Sequence, residues 1–271
     1  MKLGYQTNTW GGVSAHPLGI TSIKDLLYVT PGSMSQAIRE IADLGYQGFE
    51  LFDGNLMALA ERGALEPLMQ ATGLELAGVY CGGNFIFAEI LPEEIARIEQ
   101  ASLLAARYGA KNLIVGGGAV RAAGRQVGDE ARLADGLNQV VALARRHGLT
   151  ASYHPHHGTL VETPAQIARL FNLTEIAFCP DTGHLLEAGG DPATLIRQYG
   201  QRVGYVHLKD FSGGDFRPLG QGEVDFAGIW AALKDIGYSG WVTAELDTYG
   251  GPPKVAAEIA MQHMLRIRSI R

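Results

Sequence analysis

Eight short apolar runs, each the length of a buried parallel strand, recur along 271 residues, and longer segments with helical spacing fill the intervals. The runs are Leu3 to Thr7, Gly48 to Phe52, Leu74 to Cys81, Asn112 to Gly116, Leu149 to His154, Ile176 to Pro180, Val203 to Lys209 and Trp241 to Leu246. A parallel strand is covered on both faces, so its sequence is apolar almost without a break. Helical stretches lie at Ser35 to Leu44, Pro92 to Tyr108, Glu130 to His147, Pro164 to Leu170, Pro192 to Tyr199 and Phe226 to Ile236. Between Met34 and Leu44, the apolar Ala37, Ile38, Ile41, Ala42 and Leu44 repeat at steps of three and four, as on a helix lying against a sheet.

Punctuation agrees with this reading. Thr163-Pro164 and Asp191-Pro192 put a capping side chain before a first-turn proline, and Gly45, Gly73, Gly109, Gly148 and Gly237 follow helical runs as C-terminal caps. Right-handed crossovers of this kind spread into a doubly wound sheet or close into a barrel. No Gly-x-Gly-x-x-Gly fingerprint follows the first strand, where Asn8-Thr9-Trp10-Gly11-Gly12 stands instead. Eight units without a linker, charge block or tandem repeat predict an α/β fold, a single (β/α)8 TIM barrel over residues 1–271.

Composition narrows the function. The 22 Lys and Arg against 28 Asp and Glu give a net charge of −6, which excludes a broad nucleic-acid footprint. Cys81 and Cys179 make no disulfide framework and read as core thiols. The segment MKLGYQTNTW lacks a signal-peptide core and no run reaches membrane-span length, so the expectation is a cytoplasmic protein with no membrane partner.

In such a barrel, the site lies where strands pass into the following loops. Four consecutive late strands end in potential ligands: His154-Pro-His156-His157, Asp181-Thr-Gly-His184, His207-Leu-Lys209-Asp210 and Glu245-Leu-Asp247. One ligand from each would converge on the barrel axis. Mixed imidazole and carboxylate donors suit Mn2+, Co2+ or Zn2+, with Fe2+ and Mg2+ also admitted although Mg2+ prefers all-oxygen donors. Earlier strands supply a substrate wall: Asn8 and Trp10 after the first, Glu50 and Asp53 at the second, Asn84 and Phe85 after the third, Gly116 to Gly118 after the fourth. Arg217 and Gln221 lie in a Gly-rich loop that would close over substrate.

The segments His154-Pro-His-His-Gly-Thr, Asp181-Thr-Gly-His, His207-Leu-Lys-Asp, Pro218-Leu-Gly-Gln-Gly-Glu-Val-Asp-Phe and Gly240-Trp-Val-Thr-Ala-Glu245 resemble the xylose-isomerase-like barrel superfamily. In its sugar epimerases, Glu, Asp, His and Glu from the last four strands hold the metal. Asp181, His207 and Glu245 match three of these, and the first falls on His154, with His156 as the alternative. That Glu is also an acid/base group in the epimerases, so a histidine there argues against symmetric two-carboxylate epimerisation. The Tyr-His-Pro-His segment with its partner motifs looks more like the inosose dehydratase branch.

The resemblance implies a metal-dependent enzyme acting on a small keto-sugar or cyclitol, as a dehydratase, or alternatively as an isomerase or 3-epimerase. A homodimer is a further implication, and a sugar-binding or metal-binding barrel without turnover is the non-enzymatic alternative. The expected roles are Glu245 as ligand and base, His156 and Lys209 as acid and electrophile, and His184, Trp10, Asn8, Glu50, Asn84 and Arg217 as substrate contacts.

Overall fold

A computed structural model describes residues 1–12 and 27–269. The strands are β1 (Lys2–Gln6), β2 (Gly48–Phe52), β3 (Glu75–Gly83), β4 (Asn112–Gly117), β5 (Thr150–Tyr153), β6 (Ala177–Phe178), β7 (Val206–Leu208), β8 (Asp210–Ser212), β9 (Asp215–Arg217) and β10 (Trp241–Ala244). The helices are α1 (Met34–Asp43), α2 (Asp53–Glu61), α3 (Leu65–Thr72), α4 (Leu91–Arg107), α5 (Asp129–Arg146), α6 (Pro164–Phe171), α7 (Thr182–Glu187), α8 (Pro192–Tyr199), α9 (Phe226–Asp235) and α10 (Pro253–Ser269).

Eight of these strands form one parallel sheet in the order β6-β5-β4-β3-β2-β1-β10-β7, and β8 with β9 makes a separate antiparallel hairpin. The first and last barrel strands pair directly, Leu3 beside Val242. Closure falls at the seam between β6 and β7, where two isolated bridges, Phe178 with Val203 and Asp181 with His207, replace a continuous ladder. The amide of His207 donates to the Pro180 carbonyl there at 3.0 Å. These two strands are shorter than their apolar runs suggested, because a residue joined by one bridge lies outside any ladder.

The apolar residues divide between two layers. A small cluster of Phe52, Ala77, Tyr80, Ile114, Cys179, Tyr205 and Trp241 fills the barrel lumen. A much larger one, including Phe49, Leu51, Val79, Leu113 and Val206, lies between sheet and helices. Fully burying a side chain of this size contributes roughly 1.5–3 kcal/mol. Gly48 is required by the lumen: a Cβ there would lie 2.5 Å from the Trp241 ring and 2.7 Å from the Glu75 carbonyl.

Local signals hold at the helix ends. Thr163 and Gln166 close a capping box around the start of α6, and Asp191 accepts from Ala193 at 3.1 Å ahead of Pro192. Helices α2, α7 and α10 and the β8–β9 hairpin have no counterpart in the sequence reading, and α3 is marked there only by its cap, Gly73. Among the described residues, no helix is long and apolar enough to cross a membrane.

Candidate metal centre

Above the lumen cluster, the strands end in polar side chains that converge. His154 follows β5, Asp181 follows β6 as the N-cap of α7, His207 lies within β7 and Glu245 follows β10. All four are buried, and one donor atom from each lies within 4.8 Å of the others. The Nε2 of His154 is 3.3 Å from Asp181 Oδ2 and 3.8 Å from Glu245 Oε2. The Nδ1 of His207 is 2.7 Å from Glu245 Oε2 and 3.9 Å from Asp181 Oδ2. Around a tetrahedral zinc with bonds near 2.1 Å, neighbouring donors stand about 3.4 Å apart, inside this range.

Two observations fit the group to a cation. Although His207 Nδ1 and Glu245 Oε2 are 2.7 Å apart, neither has a hydrogen-bond partner. With a cation in place of the His207 proton, both atoms would be free to donate a lone pair to it. The second is charge: the carboxylates of Asp181, Glu245 and Asp247 lie within 4.0 Å of the Lys209 ammonium, and that of Glu50 lies against His207. With neutral imidazoles, three negative charges stay uncompensated, and a divalent ion would cancel two.

The remaining atoms of the donors are held from outside. Asp181 Oδ1 accepts the His184 amide at 2.9 Å as the cap of α7. His207 Nε2 stands 2.8 Å from Glu50 Oε2. Glu245 Oε1 accepts from Asn8 Nδ2 at 3.2 Å and lies 3.4 Å from Lys209 Nζ. Burial disfavours charge on Glu245, yet Lys209 and His207 outweigh it and hold the carboxyl well below its usual range. Burial likewise opposes a proton on His207, and Glu50 and Glu245 override it, raising the imidazole. A bound cation would take the place of that proton, since metals displace protons from their ligands.

Lys209, with no exposed surface, reaches Asp247 Oδ2 at 3.0 Å and His184 Nε2 at 3.3 Å, and lies over the Phe216 ring, 4.8 Å from its centroid. Burial would strip its proton, but Asp247, Glu245 and Asp181 together keep the ammonium charged above its ordinary range. His156 and His184 lie together, ring centroids 4.0 Å apart. Burial, then Lys209 and His154, push His156 down to about 4, and burial, His156 and Lys209 lower His184. Both imidazoles are neutral near pH 7. His156 Nδ1 donates to the His157 carbonyl at 2.7 Å, which leaves Nε2 as a proton acceptor.

His154, rather than His156, belongs to the converging set. Among the expected substrate contacts, Asn8 and His184 lie at the cluster. Trp10 is engaged elsewhere, its ring edge-on to Tyr5 and its N–H donating to Glu40 at 2.7 Å. Asn84 donates to Glu94 at 3.1 Å, and exposed Arg217 pairs with Asp215 at 2.9 Å. Glu50 is wholly buried behind His207. Asp247, Tyr80 and Phe216 join the site without having been singled out. Asp247 was findable: strand alternation puts residues 245 and 247 on one face. Tyr80, its ring 5.4 Å from His154, carries no local signal of its role.

Comparison with known proteins places the chain in a family. The chain is 30% identical to an inosose dehydratase of Geobacillus kaustophilus, over 87% of each sequence. Its fold is similar to the probable 3-DHS dehydratase AsbF of Bacillus anthracis, with a TM-score of 0.78 at 16% identity over 98% of this chain and 99% of the other. It is also similar to the IOLI protein solved with a zinc atom, with a TM-score of 0.76 at 17% identity over 99% and 98%. Residues 38–267 match the profile described as Xylose isomerase-like TIM barrel, and the chain belongs to that family.

Proposed function

We propose that this protein is a divalent-metal-dependent lyase that dehydrates a cyclitol ketone of the inosose kind, with His154, Asp181, His207 and Glu245 holding the ion. The observation that carries the reading is the imidazole at the end of β5. A carboxylate there would make the pair of acid/base groups that epimerisation employs, and this chain has the imidazole of His154 in that place. The 30% identity to an inosose dehydratase over most of both chains supports the same choice. Mn2+, Co2+ and Zn2+ suit the donor set. We also propose that residues 1–271 form one domain, a reading supported by the direct pairing of β1 with β10.

When bound, the ion supplies a Lewis acid that polarises the substrate carbonyl and makes the adjacent C–H more acidic. His156, neutral and with Nε2 free to accept, takes that proton. The electron pair left on carbon forms the new C=C bond as the β C–O bond breaks. The departing hydroxyl recovers a proton from His156 and leaves as water, so the imidazole is regenerated. Lys209 places a fixed positive charge against the developing negative charge, and in a site closed to water such a charge counts for far more than in solution. Glu245, kept ionised by Lys209 and His207, serves as ligand.

The test is to incubate the metal-loaded protein with 2-keto-myo-inositol and follow the absorbance of a conjugated enol or dione. Its appearance supports dehydration. Exchange of a carbon-bound hydrogen with solvent, without loss of water, would mean an isomerase or epimerase, and bound metal without either change would mean a binding protein.

A further inference from the structure

Glu50 stands at the inner face of β2 with none of its surface exposed, a costly place for a carboxylate. Its Oε2 is 2.8 Å from His207 Nε2, and its Oε1 accepts from Gln6 Nε2 at 3.1 Å. We propose that Glu50 is a positioning residue for the metal ligand His207, selecting which ring nitrogen carries the proton and aiming the other at the ion. The proposal rests on the reading that His154, Asp181, His207 and Glu245 bind a metal, and not on the dehydratase assignment.

A neutral imidazole has one N–H and one lone pair, and the hydrogen bond made by one nitrogen settles the state of the other. A carboxylate beside Nε2 requires the proton there, so the lone pair is on Nδ1. That is the atom found 2.7 Å from Glu245 Oε2 and 3.9 Å from Asp181 Oδ2, with no hydrogen-bond partner. Gln6 keeps Glu50 from turning away. It is itself anchored, its Oε1 accepting the Asn8 amide at 3.2 Å and the Thr7 hydroxyl at 3.4 Å. Asn8 then returns to the site through its bond to Glu245 Oε1 at 3.2 Å. The end of β1 thus braces two ligands at once, His207 through Gln6 and Glu50, and Glu245 through Asn8.

A role in touching substrate would require Glu50 to be reachable from the mouth. Its burial and its position behind His207 oppose that. The carboxylate also raises the electron density of the ring it binds, so its loss should weaken the ligand as well as loosen it.

Zinc and cobalt affinities of the wild-type chain, Glu50→Gln and Gln6→Ala, measured by competition with a chromogenic chelator and without substrate, test the proposal. Loss of such outer partners lowers metal affinity about 10- to 100-fold. That range is expected for Glu50→Gln, together with a shift in the visible absorption of the cobalt-loaded protein. Gln6→Ala should show a smaller loss in the same direction, and it decides the matter if Glu50→Gln does not fold. Unchanged affinity in the folded Glu50→Gln, or unchanged affinity in Gln6→Ala should it be the only folded variant, would overturn the proposal. Unchanged affinity with a raised KM for the inosose would make Glu50 a substrate contact instead. Failure of the wild-type chain to bind either metal would overturn both this proposal and the ligand assignment, whereas tight binding without turnover would remove only the dehydratase reading.

Discussion

At Asp53, burial outweighs two hydrogen bonds. Its Oδ1 accepts the amides of Tyr28 at 2.9 Å and Gly54 at 2.8 Å, both of which favour the ionised form, yet desolvation pushes the carboxyl up to about 7. An acid whose folded value is raised keeps its proton when the unfolded chain has lost it, so stability declines as pH rises from about 4 to about 7. Asp53→Asn retains the accepting oxygen and removes the titration. Between pH 5 and pH 8, urea unfolding should show the variant gaining roughly 2–3 kcal/mol relative to wild type. A constant difference would mean that Asp53 is ionised throughout. Residues of this kind divide the legibility of the site. Asp181, His207 and Glu245 were readable because each ends a strand in a recognisable motif. Glu50 was readable as a residue of interest from its place at a strand end, but its contact with His207 was not, because the two meet only in the folded barrel.

The β8–β9 hairpin explains why the loop after β7 was only half readable. Its Gly-rich sequence pointed to closure over the site through Arg217 and Gln221. Arg217 instead faces solvent and Phe216 faces inward, as alternation along a strand requires of neighbours. Asp210 fastens the hairpin: its carboxylate accepts the amides of Phe211, Gly220, Gly222 and Val224 at 2.8–3.2 Å. A Cβ on Gly222 would lie 2.3 Å from Asp210 Oδ1, so this wrapping admits glycine alone. The outcome is a Phe216 ring 4.7 Å from the His184 ring and set against Lys209. A desolvated cation–π contact contributes about 1–2 kcal/mol. Phe216→Ala should therefore admit water to Lys209 and lower kcat/KM roughly tenfold, with metal affinity unchanged. Activity equal to wild type would show that the hairpin does not cover the reacting groups.

For the molecule as a whole, a metal at the strand ends would tie β5, β6, β7 and β10 together across the weakest part of the barrel, the seam joined by two bridges. A ligand that binds only the folded state stabilises by about 2.7 kcal/mol at a hundredfold excess over Kd, equal to roughly 5–10 °C in Tm for a chain of this size. Chelation should lower the wild-type Tm by that amount and added Zn2+ should restore it. Asp181→Asn, which keeps an N-cap for α7 because Asn caps as well as Asp, should show neither effect. A chelator-insensitive wild-type Tm would argue against a metal across the seam. The parallel strands, the main helices and the strand ends that carry polar groups are legible along the chain, because burial on both faces, 3.6-residue periodicity and capping are local patterns. The sequence also limited the ligands to a short set of candidates. Folding was needed to show that His154 joins the converging donors, that Trp10 packs on Tyr5 and bonds Glu40, and that Phe216 stands over Lys209. It was needed too for the contact of buried Glu50 with His207. Those facts depend on which side chains meet when a sheet closes on itself, and residues 50 and 207 have no relation along the chain until it does.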